Sequence, residues 1–96
     1  MEEKYKNIEK AVCSFYKVEA EAAYKTSRSK YPLGTCKDIL MYMYYANGMK
    51  VYDIAKMFGI SERLVFRKCA EINLALKSDT KIKEDVEQIN KMLNNG

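Results

Sequence analysis

Apolar residues recur every three to four positions along most of this chain, and that spacing predicts helices almost throughout. Tyr5, Ile8, Val12 and Phe15 line one face of an opening amphipathic helix that ends near Lys17. A bend near Val18 separates it from a shorter helix over 19–25, which carries Ala20, Ala23 and Tyr24. The segment 26–35 breaks the pattern, since it holds the only proline, Pro32, with Gly34, Ser27 and Ser29, and it reads as a loop. Thr35 and Asp38 then have the Ser/Thr-x-x-Asp/Glu spacing of a capping box, which places a helix start just before the run from Ile39 to Tyr45. That run is apolar nearly all round, as suits a helix with neighbours on several sides in the middle of a bundle. Its Tyr and Met side chains offer a stacking platform for bases as one reading; the favoured reading is core, with tyrosine hydroxyls reaching the surface. Asn47 and Gly48 end the helix.

The stretch VYDIAKMFGISERLVFRK, residues 51–68, places small and apolar residues where a helix-turn-helix needs them. Ile54 and Ala55 sit on a short amphipathic helix, Gly59 falls in the turn, and Ser61 opens a second helix from which Val65 returns to the core. Two helices meeting steeply approach closely only if a small residue such as Ala55 lies at their contact, and glycine reaches positive φ without strain. The Ser61 hydroxyl can accept a bond from an otherwise unpaired backbone N–H. Val65, Cys69, Ile72 and Leu76 continue one apolar stripe, so at 100° per residue Glu62, Arg63, Phe66 and Arg67 lie away from it or on its edge. Asp79 or Ser78 caps a last helix whose apolar face is Ile82, Val86, Ile89 and Leu93. The expected fold is all-α, one domain over residues 1–96 built as a small bundle of five to six helices containing a helix-turn-helix.

Composition narrows the function classes. Ninety-six residues suffice for a modest core but not for a multi-domain enzyme. The net charge of +4 is only mildly basic, but its distribution is uneven. Lys25, Arg28, Lys30 and Lys37 fall within 25–37 with no acid among them, and Arg63, Arg67 and Lys68 cluster on the second helix of the motif. If these surfaces adjoin, they form one phosphate-facing patch. The three cysteines form no CxxC pair and each sits among apolar residues, which fits small buried hydrophobes in a reduced, cytoplasmic setting. No charged-then-apolar signal segment opens the chain, and the longest apolar run, Ile39 to Ala46, is far shorter than a membrane span. There is no histidine, no pair of carboxylates set for acid–base work and no metal-ligand spacing, so neither catalysis nor a cofactor or metal is expected.

A helix lying in a major groove supplies side chains to base edges while nearby loops hold phosphates. On that basis Arg63 and Arg67, one helical turn apart, are the candidates for guanine contacts, and Glu62 for accepting from a cytosine amino group. Ser61 stands at the head of the reading helix, and Phe66 at its edge suits a thymine methyl or an apolar partner. Lys50, Lys68 and the basic loop with Arg28, Lys30 and Lys37 would serve the phosphate backbone. The expected partner is therefore double-stranded DNA. The same charges also suit an ordinary solvated helix face, and a protein-interaction module centred on Phe66 with Tyr44 or Tyr45 is the competing reading. No heptad seam specifies a coiled-coil dimer.

The chain resembles the C-terminal DNA-binding domain of the bacterial replication initiator DnaA, over most of its length. IEKAVCSFYKVEAEAAYKTSRSK is similar to that domain's first helix, short second helix and basic loop. CKDILMYMYY resembles the next helix, with Lys37 where the family usually carries arginine and the pair Met41-Tyr42 often found there. IAKMFG resembles the first half of the family's helix-turn-helix, and the segment from Asp79 to Leu93 its closing helix. The resemblance implies a Trp-repressor-like or DnaA-like helical fold and binding to duplex DNA in replication initiation or its regulation. It also implies replication or regulatory proteins as further partners. Arg28, Lys30 and Lys37 carry over as phosphate or minor-groove contacts. After the Phe-Gly pair the family has an Arg-Asp-His-Thr-Thr run that contacts bases, whereas Ile60 to Leu64 here reads Ile-Ser-Glu-Arg-Leu. The family's DNA site does not carry over, and the chain has no room for its ATPase.

Overall fold

Three of the helix ends are made by residues with left-handed backbone, Lys17, Gly48 and Gly59. The computed structural model describes residues 2–27 and 30–95, in which α1 (Glu3–Tyr16) ends at Lys17, left-handed at φ 57°. The Val18 N–H closes this end by donating to Cys13 O at 3.0 Å. α2 (Ala20–Lys25) is a short helix held by the buried Ala23, and the chain leaves it extended at Thr26. α3 (Leu33–Ala46) ends at Asn47 and Gly48, where Gly48 takes φ 101° and Met49 N–H reaches back to Tyr44 O at 3.0 Å. α4 (Val51–Phe58), α5 (Glu62–Ser78) and α6 (Thr80–Asn95) complete the chain, and the Asp79 carboxylate caps α6 by accepting from Ile82 N–H at 3.2 Å. The protein is thus an all-α bundle of six helices, with no strand among the described residues.

α3 is the central helix, packed against α1, α2, α4 and α5, while α6 closes the bundle across α1 and α5. Cys36, Ile39, Leu40, Met41 and Tyr44 are fully buried, as the unbroken apolar run predicted. The start of α3 differs from expectation, because Thr35 and Asp38 form no capping box and the helix already begins at Leu33. Pro32 occupies the cap position, where its missing N–H leaves no donor unpaired. Gly34 N–H donates to Lys30 O at 2.7 Å and Cys36 N–H to Pro32 O at 2.9 Å. Gly34 and Cys36 are both buried in this first turn, so the helix start lies within the packed part of the bundle. The loop is accordingly shorter than the composition of 26–35 suggested.

Polar connections tie the layers together. Tyr24 OH donates to the Glu9 carboxylate and meets Tyr44 OH at 2.6 Å, linking α1, α2 and α3 beside Phe58. The Tyr44 hydroxyl therefore ends inside this network rather than at the surface, which corrects the sequence reading of that ring. Two turns further along α1, Tyr16 OH donates to the buried Asp85 at 2.8 Å. None of the described helices is long and apolar enough to cross a membrane.

Candidate nucleic-acid interface

The segment 51–68 folds as two helices joined by a three-residue turn, Gly59, Ile60 and Ser61. Gly59 is left-handed at φ 65°, which lets Ile60 N–H donate to Ala55 O at 3.0 Å and closes α4. Ser61 Oγ accepts from Leu64 N–H at 3.1 Å and starts α5. Ala55, Val65, Cys69 and Ile72 are buried, the last three forming the stripe that fastens α5 to the bundle. With that face inward, Glu62, Arg63, Phe66 and Arg67 are all exposed.

The exposed face is aromatic as well as basic. Phe66 is 52% exposed and meets Tyr45 of α3 edge to face, with ring centroids 6.2 Å apart. Tyr45, and not the buried Tyr44, is the ring that accompanies Phe66. Leu74, two turns further along α5, is 65% exposed. Sequence reasoning passed over Leu74 because the stripe argument follows the buried positions only.

The basic candidates divide into two groups. Arg63 stands in solvent and has no ion pair among the described residues. Arg67 lies 3.9 Å from Glu71, both well exposed, an attraction worth no more than about 1 kcal/mol and easily exchanged for a phosphate. Lys30 and Lys50 are exposed. Lys37 and Lys68, by contrast, are half-buried where α3 meets α5. Lys37 Nζ donates to Thr26 O at 2.7 Å, and burial pushes its ammonium below the usual lysine range, with the nearby Asp38 opposing. Lys68 Nζ lies 3.7 Å from Asp38 and 3.9 Å from Glu71. Burial raises the Asp38 carboxyl while Lys68 pulls it down. The ammonium groups of these two lysines, unlike those of Lys30 and Lys50, make contacts within the fold. Arg28 lies outside the described residues.

The counter-ions were not foreseen. The local spacing makes Asp38 part of a capping box, and Glu71 stands three and four residues after Lys68 and Arg67, a spacing that points to the pairing. Among the described residues no group of three or more His, Cys, Asp or Glu side chains could hold a metal ion. No protein-family model matches the chain, and no curated protein matches its sequence.

Proposed function

We propose that the chain binds double-stranded DNA without catalysis or a cofactor, as a domain of the DnaA C-terminal type acting in the cytoplasm. In this reading α4, its glycine turn and α5 serve as a helix-turn-helix, and replication initiation or its regulation is the process the resemblance points to. The observation that carries it is the exposed face of the Ser61-capped α5, where Arg63, Phe66 and Arg67 stand together opposite the buried stripe. Arg63 and Arg67 reach guanine edges, Glu62 accepts from a cytosine amino group, and Phe66 packs on a thymine methyl. Arg28, Lys30 and Lys50 hold phosphates. Lys37 acts indirectly, by fixing the start of the basic loop through Thr26, and Lys68 by fixing α5 against Asp38.

Selection from a randomised duplex pool tests this reading. An enriched motif whose preference at one base pair is relaxed in Arg63→Ala supports sequence-specific binding, and no retention at low salt overturns it. A second reading follows from the exposed Tyr45–Phe66 pair, an apolar feature flanked by arginines that suits a protein partner. Under that reading the duplex pool yields nothing, and replication or regulatory proteins are the partners to be sought.

A further inference from the structure

Cys13 on α1 and Cys36 on α3 are both free thiols, and their sulfurs lie 4.0 Å apart in the core. They differ in access. Cys36 is fully buried, whereas Cys13 retains 8% exposure and borders a surface cavity of about 410 Å³ at the C-terminal end of α1. Lys10, Lys17, Glu9 and Glu19 surround that cavity, a mixture of charges complementary to a zwitterionic ligand. We propose that this pair is an oxidation site at which Cys13 is the entry thiol, Cys36 the resolving thiol, and the oxidant a low-molecular-weight disulfide of a zwitterionic thiol peptide.

The contact polarises the two sulfurs in the order this chemistry needs. The Cys36 S–H donates to Cys13, which lowers the Cys13 thiol below its ordinary value and, together with burial, raises that of Cys36. Thiolate is the nucleophile, so Cys13 reacts first. Its sulfur attacks one sulfur of the oxidant, that S–S bond breaks, and one thiolate leaves and takes up a proton. Cys36 then loses its proton and attacks the Cys13 sulfur, and the second thiol leaves. In sum, two protein thiols give up two electrons and two protons, and the oxidant becomes two thiols. The protein sulfurs must close from 4.0 Å to about 2.05 Å, and the product ties α1 to α3 covalently. Cys69 provides the internal comparison: it is buried, burial raises its thiol to about 11, and it has no such sulfur contact among the described residues.

Oxidised glutathione added to the reduced, folded chain, followed by alkylation and peptide mass spectrometry, tests the assignment. The expected result is a Cys13–Cys36 link with loss of about 2 Da and an alkylatable Cys69. Cys36→Ser is expected to accumulate glutathione on Cys13, and Cys13→Ser to slow loss of the Cys36 thiol by about tenfold or more. Retention of all three thiols by the folded wild-type chain overturns the proposal, independently of how either variant folds. So does reaction of Cys69 as fast as Cys13, or a Cys36 thiol lost at the wild-type rate in Cys13→Ser.

Discussion

Asp85 is the buried acid on which α1 and α6 converge. Tyr16 OH donates to Oδ2 at 2.8 Å, Lys81 reaches Oδ1 at 2.9 Å, and the same ammonium lies 5.2 Å from the centroid of Tyr31. Replacing Tyr16 with Phe keeps the ring but leaves a carboxylate oxygen that is shielded from water without its donor. A stability loss of about 1–3 kcal/mol is expected in urea unfolding. The hydroxyls also set the alkaline limit of the fold. Burial first, then Asp85, holds the Tyr16 hydroxyl well above the ordinary tyrosine value, and burial with Glu9 and Tyr44 does the same for Tyr24. The unfolded chain releases these protons near pH 10 and the folded chain does not, so their stabilisation is complete below about pH 10 and is lost as pH rises beyond it. Circular dichroism followed with tyrosinate absorbance should show unfolding and ionisation together, and Tyr24→Phe should reduce the loss. None of this was legible in the sequence: Lys81 and Asp85 look like a surface i,i+4 pair, and the deciding Tyr16 lies 69 positions away.

Elements were legible where their causes are local. α4, its turn and α5 follow from residues within a few positions of one another, and the structure places Gly59 and Ser61 where that reasoning put them. Ser61→Ala removes the acceptor for Leu64 N–H and is expected to cost about 1 kcal/mol by thermal unfolding, with Ser61→Asp retaining most of the stability. At Gly59 an added Cβ meets no atom within 4 Å, so Gly59→Ala carries only the left-handed backbone penalty, about 1–2 kcal/mol. The start of α3 was misplaced for the opposite reason. A proline and a glycine read locally as loop, but Gly34 and Cys36 are drawn into the core by contacts with other helices, and the helix extends back to Leu33 to follow them. Asp38 was misread in the same way, since the ammonium that claims it comes from α5.

On the scale of the whole molecule, the question is which charges remain available to a partner once the fold has used its share. A net charge of +4 does not by itself argue for duplex DNA, and Lys37 and Lys68 make contacts within the bundle. Arg28, Lys30, Lys50, Arg63 and Arg67 remain as proposed contacts. If all five met phosphates, the logarithm of affinity would fall with the logarithm of salt at a slope of about −4.5; arginines on base edges instead of phosphates make it shallower. The variants separate these cases. Lys30→Ala should weaken binding to every sequence and reduce the steepness by about 0.9, because one phosphate contact is lost. Arg63→Ala should cost about 1–3 kcal/mol on the selected sequence, little on others, and relax preference at one base pair. Titrations of both variants over a salt series, on selected and scrambled duplexes, read slope and specificity together. Equal losses on both duplexes for Arg63→Ala would place that side chain on the backbone and move base reading elsewhere on the molecule.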